Sequence, residues 1–208
     1  MNSDIDEKLW DERYRSAPLI WSGEPNEQLV AEVSPLTPGT ALDVGCGEGA
    51  DAIWLAERGW RVTAVDISSV ALERAKTAAA ARDVTQRIAW LHADLIAPSW
   101  PLADASYDLV SAFFVQQTKE RREKLFRVMA SAVKPGGTLL VVGHHPDDLK
   151  TGVRRPPAEM LYTSDEVAAV LDSQDWEIEI NTVRERTVEK DGATVTVYDA
   201  VLRARRLR

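Results

Sequence analysis

Ala41-Leu42-Asp43-Val44-Gly45-Cys46-Gly47-Glu48-Gly49-Ala50 is the stretch that decides how this chain folds. An apolar run of strand length enters it, glycines occupy every second position from 45 to 49, and a helix-forming run follows. Glycines spaced in this way let the backbone turn sharply and let a ligand approach it closely. The glycine pattern alone admits any nucleotide-like ligand.

Outward from the turn, strands and helices alternate. Strand 41–45 precedes a helix over 49–58, with Glu48 and Asp51 at its start and Arg58-Gly59 at its end, the charge order that suits a helix dipole. A second strand, 61–66, leads into a helix from Ser69 to about Arg82, with Ser68 as its cap. Ile88–His92 is a third strand, Pro98–Pro101 a loop, and Tyr107–Phe113 a fourth strand. The stripe Leu125, Val128, Met129, Ala132 and Val133 turns the next helix toward the core. Lys134-Pro135-Gly136-Gly137 ends that helix ahead of a fifth strand, Thr138–Gly143. Nearly continuous apolar runs suit parallel strands covered on both faces.

Beyond a polar loop at 146–157 the pattern changes. Thr163-Ser164-Asp165-Glu166 is a capping box opening a further helix. Alternating segments 176–183 and 194–202 flank Asp191-Gly192, a tight hairpin signal. The expected class is α/β: a Rossmann-like, doubly wound sheet, mostly parallel, with an antiparallel last hairpin strand. Ahead of it, 4–16 is helical, Trp10 and Tyr14 share a face at i,i+4, Trp21 sits in a loop, and Asn26 caps a short helix through Val33. Residues 1–35 are therefore expected to form a helical N-terminal segment ahead of a single globular unit, 36–208.

With 208 residues, 45% hydrophobic and 28% charged, the chain can bury one sizeable core. A net charge of -8 disfavours nucleic-acid and anionic-membrane partners. A lone cysteine, a charged N-terminal segment and no long apolar span together predict a cytoplasmic protein. Three histidines make a metal site unexpected, and the oligomeric state is not encoded in any pattern.

A dinucleotide would place its pyrophosphate at the glycine turn, where Asp43, Glu48 and Asp51 would repel it in a medium of lowered dielectric. A ligand with a cationic end and no phosphate meets no such penalty, which disfavours a nicotinamide-dependent oxidoreductase. Asp66 ends the second strand, where a carboxylate can accept from both ribose hydroxyls. Asp94 ends the third, within reach of an adenine amino group. Each aspartate has an alternative reading as a helix cap or turn residue.

Leu42–Gly49, Val65-Asp66-Ile67-Ser68, His92-Ala93-Asp94, Tyr107-Asp108-Leu109-Val110 and Lys134–Gly137, in this order and spacing over roughly 36–145, resemble the class I S-adenosylmethionine-dependent methyltransferases. The resemblance implies a seven-stranded sheet and S-adenosyl-L-methionine as cofactor. It assigns Gly45–Gly47 to the methionine end, Asp66 to the ribose and Asp94 to adenine. The cofactor set it implies is Asp43, Gly45, Cys46, Gly47, Asp66, Ile67, Ala93, Asp94, Leu95 and Ala112, with Cys46 as a turn residue rather than a nucleophile. Trp10-Asp11-Glu12-Arg13-Tyr14 and Trp21 look more narrowly like the thiopurine and tellurite methyltransferase group, which adds Trp10, Tyr14 and Trp21 as a lid over the cofactor. The alternative for these aromatics is plain coverage of a core edge.

Methyl transfer from a sulfonium needs alignment and exclusion of water more than activation. A thiolate or chalcogen oxyanion acceptor needs no base, whereas a hydroxyl usually does. The candidate acceptor wall is Phe113 and Gln116 after the fourth strand and His144 or His145 after the fifth, with Arg154 and Arg155 in the following loop able to draw an anion. Adjacent strand residues face opposite ways, so at most one histidine is expected to face the site. Small-molecule relatives carry histidines near Gln116-Gln117, and glutamine cannot act as a base. The expected function is methyl transfer to a small molecule, a thiol or chalcogen oxyanion; an O- or N-methyltransferase and a non-catalytic S-adenosylmethionine-binding protein are the alternatives.

Overall fold

The computed structural model describes residues 3–94, 96–97, 106–152, 157–190 and 192–208, with side chains from residue 7 onward. Leu95, Arg154, Arg155 and Asp191 lie outside the described residues, as does the whole 98–101 loop. Among the described residues, two helices precede the sheet: α1 (Ser3–Arg15) and α2 (Glu27–Val33), the latter capped by Asn26, whose side chain accepts from Gln28 N. The alternating body is β1 (Thr40–Val44), α3 (Ala50–Glu57), β2 (Arg61–Asp66), α4 (Ser69–Ala81), β3 (Ile88–His92), β4 (Tyr107–Phe113), α5 (Lys119–Ala132) and β5 (Val133–His144). The short helices α6 (Asp148–Thr151) and α7 (Ser164–Ala168) lead into β6 (Trp176–Lys190) and β7 (Ala193–Arg206).

The seven strands lie in the order β3-β2-β1-β4-β5-β7-β6. Pairs among β1 to β5 are parallel, and β7 runs antiparallel to both β5 and β6. The expected class and sheet are therefore the observed ones. Leu42 and Val44 pack with Phe126 and Met129 of α5 on one face, while Ala41 packs with Ile53 and Leu55 of α3 on the other. Period-2 alternation along β1 thus feeds two separate layers, and continuous apolar character follows from that double coverage.

Two local expectations needed revision. Lys134–Gly137 is not a turn ahead of the fifth strand. Val133 already pairs with Tyr107 and the next pair is Leu109 with Thr138, so the segment is a bulge inside β5. The closing hairpin is also longer than the alternation suggested, with Lys190 still paired to Ala193 beside Gly192, whose φ is +77°. The Thr163–Glu166 capping box forms as expected.

Strand order reverses between β1 and its neighbours β2 and β4. Chains leaving these carboxyl ends run in opposite directions, opening a crevice that open α/β sheets use for ligands.

Candidate active site

Val65 O accepts from both Gly45 N (2.8 Å) and Cys46 N (3.0 Å), which folds the segment after β1 over the end of β2. Gly47 has φ +52°, and a Cβ there would stand 2.8 Å from Tyr14 Oη. Gly49, at φ +85°, lies where a Cβ would strike both Ala75 and the Trp90 ring. One glycine thus admits the lid and the other admits close packing onto α4.

Over this turn lies a cavity of about 970 Å³. Its lining on the side of the glycine turn includes Asp43, Gly45, Cys46, Gly47, Glu48, Asp51, Asp66, Ile67 and Asp94, together with Trp10, Arg13, Tyr14 and Trp21. Asp66 accepts from Gly47 N and Ser68 N, each at 2.8 Å, so it shapes the turn as well as facing the cavity. Asp94 accepts from Ile96 N at 3.0 Å and stands 3.8 Å from Arg121. Both aspartates therefore make the local turn bonds of the alternative reading and also line the cavity. Ala93 and Ala112 fall in the packed layer instead, Ala112 being buried between strands.

The acids of this end carry unusual electrostatics. Asp43 is 2% exposed; it accepts a hydrogen bond from the Ala52 backbone, but its Oδ2 has no partner. Burial raises its pKa well above the usual carboxylate range, and the neighbouring charges of Asp51 and Asp66 add to the rise. Burial likewise pushes Asp51 up to about 6, opposed by a hydrogen bond from Asn26 N. Asp66 is raised by burial against its backbone donors. Burial raises the Cys46 thiol too, with Asp66 and Asp43 adding, so it is held as a thiol and is no nucleophile. Glu48 departs from the expected picture. It lines the cavity but also accepts from Ile20 N and Trp21 N and pairs with Arg74 at 2.9 Å, so it anchors the 17–23 loop as well.

Side chains of α1 and of the loop after it meet over the glycine turn. Trp21 Nε1 donates to Tyr14 Oη at 3.1 Å, and the Arg13 guanidinium lies 5.2 Å from the Trp10 ring centroid and 5.0 Å from that of Trp21. Asp11 accepts from Ser68 Oγ and Val70 N, fastening α1 to the start of α4.

Phe113, Phe114, Gln116, Gln117 and His144 form the opposite wall. His144 stacks on Phe114 with centroids 4.4 Å apart, and its Nδ1 is 3.7 Å from the fully buried Asp148. His145 points elsewhere: its Nδ1 accepts from Asp147 N at 3.2 Å, bracing the turn after β5, and it is not in the lining. Strand alternation splits the two histidines as anticipated. Residues that the sequence reading missed complete this wall. Arg186 from β6 lies 5.4 Å over the Phe114 ring and donates through Nε to Asp199 at 2.6 Å, and Gln28 of α2 joins them. Arg186 lies beyond the alternating segment 176–183, so no sequence pattern hinted that it faces inward.

Residues 41–137 match the family described as a methyltransferase domain. An uncharacterized methyltransferase of Mycobacterium tuberculosis is 38% identical over 128 residues, 61% of this chain and 61% of that protein, so the chain spans about three fifths of the relative's length. Among solved structures, the protein of the study on conversion of a disulfide bond into a thioacetal group during echinomycin biosynthesis superposes with a TM-score of 0.75 at 22% identity, covering 96% of this chain and 92% of that one. TehB from Haemophilus influenzae follows with 0.70 at 20% identity, covering 96% and 66%. Such low identities speak for a shared fold and not for the narrower tellurite and thiopurine grouping. Residues 41–137 match a methyltransferase domain, and the seven-stranded fold around them is the one these methyltransferase structures share.

Proposed function

We propose that this protein transfers a methyl group from S-adenosylmethionine to a small-molecule acceptor whose reacting atom is a soft nucleophile, a thiol or chalcogen oxyanion. The observation that carries the donor half is the unpartnered, buried Oδ2 of Asp43 facing the cavity among Asp51 and Asp66. An uncompensated cluster of buried acids fits a cationic ligand and not a pyrophosphate. Bound there, S-adenosylmethionine would supply an activated methyl group. Asp43 would hold its cationic end, Asp66 its ribose, and Asp94 its adenine, while Tyr14 and Trp21 exclude water from the glycine turn.

The acceptor half rests on what the far wall offers. A cavity of about 970 Å³ lies at the upper end of the roughly 300–1,000 Å³ usual for ligand pockets, consistent with holding donor and acceptor together. Gln116 and Gln117 cannot take a proton, which favours an acceptor already ionised at neutral pH. Likeness in fold to the protein of the thioacetal study, whose chemistry is at sulfur, agrees with this. The pair His144–Asp148 favours a second reading, a hydroxyl acceptor deprotonated by His144. No helix among the described residues is long and apolar enough to cross a membrane.

Titration calorimetry with S-adenosylmethionine and S-adenosylhomocysteine tests the donor half, and absence of binding by both removes it. Assaying methyl transfer to thiols, selenite, phenols and amines tests the acceptor half. Turnover confined to amines would overturn the soft-nucleophile reading.

A further inference from the structure

We infer that Arg186, held by Asp199, is the residue that selects the acceptor, and that the acceptor carries a carboxylate or comparable oxyanion; this rests on the methyl-transfer reading above. The two ends of the cavity differ in charge arrangement. The glycine-turn end holds Asp43, Asp51 and Asp66 with Arg13 beside them, whereas the opposite wall carries the Arg186–Asp199 pair, Arg186 being the sole arginine or lysine there among the described residues. A donor bearing a positive charge belongs at the acidic end, and the guanidinium edge that Asp199 does not engage is where an anion can bind at the other.

The mounting of Arg186 is that of a recognition group. Its partner Asp199 is 1% exposed, and the Arg186 side chain is 22% exposed. A buried ion pair is a poor source of stability, because desolvating both charges consumes most of the attraction. It does fix direction. Asp199 engages the Nε edge of the guanidinium, and the planar fork carries further N–H donors on its terminal nitrogens. A carboxylate or similar oxyanion matches that fork with two parallel hydrogen bonds.

Phe114 supplies an independent sign that this wall is built for a ligand. It is a bulky residue at φ +54°, a conformation that costs free energy unless its surroundings hold it. The conformation sets the ring against His144 and under the Arg186 guanidinium. It also lets Phe114 N donate to Val142 O at 2.8 Å, joining the wall to β5. The acceptor thus meets an aromatic surface topped by an oriented cation. Arg154 and Arg155, which the sequence suggested for this task, lie outside the described residues.

The test uses protein saturated with S-adenosylhomocysteine at pH 7.5 and two probe pairs that differ only in charge: 4-mercaptobenzoate against 4-methylbenzenethiol, and 4-hydroxybenzoate against 4-methylphenol. Calorimetry should find a carboxylate probe bound about 10- to 100-fold more tightly than its methyl counterpart in at least one pair, the size of a charge-assisted hydrogen bond. Arg186→Gln should abolish that preference, Arg186→Lys should keep part of it, and S-adenosylhomocysteine affinity should stay within about twofold throughout. The double change Arg186→Gln with Asp199→Asn leaves no buried unpaired charge and should give the same loss in a protein that melts normally. Equal binding within both pairs, no binding of any probe, or a preference surviving Arg186→Gln overturns the inference. Failure of S-adenosylhomocysteine itself to bind would instead remove the methyl-transfer reading beneath it.

Discussion

The two ends of the cavity are made in different ways. The donor end is built from short contiguous pieces, Asp43–Asp51, Asp66-Ile67 and Asp94, each at the end of a parallel strand. The acceptor end gathers Gln28, Phe114, His144, Arg186 and Asp199 from five separate elements or their flanking residues. At the first end the backbone shapes the site and three acids share one burial environment. At the second, individual side chains shape it, and each basic group has its own buried carboxylate: Asp148 for His144, and Asp199 for Arg186. A fold can keep the first arrangement while exchanging the second residue by residue.

Removing Asp66 should have the largest effect on donor affinity. Its carboxylate faces the cavity and also holds Gly47 N and Ser68 N, so Asp66→Ala frees the turn and removes the ligand contact together. Two charge-assisted hydrogen bonds correspond to roughly 100-fold or more in affinity for S-adenosylhomocysteine, read by calorimetry. Retained affinity would mean that the donor end is not organised around this residue.

Asp43→Asn should separate binding from stability. Asparagine can still accept from the Ala52 backbone, yet it ends the confinement of a buried charge among Asp51 and Asp66. The variant should melt higher than wild type at pH 7.5, by roughly 1–3 kcal/mol, while losing about tenfold or more in donor affinity. A fall in both would mark Asp43 as a structural residue instead.

The same acids set a pH dependence. Asp51 is raised to about 6, above its unfolded value near 3.8, so the ligand-free protein holds extra protons between those pH values. Its contribution to folding stability is present below pH 3.8 and is lost as pH rises through about 6. A cationic ligand prefers the ionised acids, so donor affinity should strengthen several-fold from pH 5 to 7.5. Binding near pH 6 should release protons, visible as a dependence of the calorimetric heat on buffer ionisation enthalpy. Affinity that is flat over this range would remove the acid cluster from the donor's cationic contact.

The two ends also differed in how far the sequence revealed them. Asp66 and Asp94 could be placed at the cavity because each ends a strand and makes a local turn bond, to Ser68 N and to Ile96 N, whereas their longer contacts, with Gly47 N and Arg121, left no sequence signal. The anchoring task of Glu48 stayed hidden because its partners, Arg74 and the Ile20 and Trp21 amides, are 26 to 28 positions away. The internal bulge at Lys134–Gly137 stayed hidden for a related reason: proline and glycines signal a break, and only pairing with Tyr107 turns the break into part of a strand. Arg186 and Asp199 are 13 positions apart on adjacent strands, and only the hairpin register and the closure of β7 on β5 bring them beside Phe114.

Glu48→Gln probes how the lid is joined to the donor end. Losing the ion pair with Arg74 and weakening the hold on the Ile20 and Trp21 amides should cost about 1 kcal/mol and loosen 17–23. Hydrogen exchange should quicken in that loop but not in Gly45–Gly49, with donor affinity falling a few-fold. Equal quickening in both segments would show the lid and the turn to be one unit.

His144→Ala and His145→Ala should have the smallest effects on donor affinity, and they sharpen the contrast between the ends. His145 braces the turn after β5 by accepting from Asp147 N, so its loss should cost about 0.5–1.5 kcal/mol in stability and leave turnover within about twofold. His144 lines the acceptor wall against Phe114, and its loss should lower turnover while stability and donor affinity change little. The size of that loss identifies the chemistry. General-base catalysis contributes roughly 10²- to 10⁴-fold, whereas a wall residue beside an already ionised thiolate contributes about tenfold or less. A loss of tenfold or less with a thiol acceptor, unchanged between pH 7 and 9, is the result expected of a soft nucleophile. A loss of a hundredfold or more, shrinking as pH rises and the acceptor ionises unaided, would make His144 and Asp148 the working base and move the acceptor to a hydroxyl.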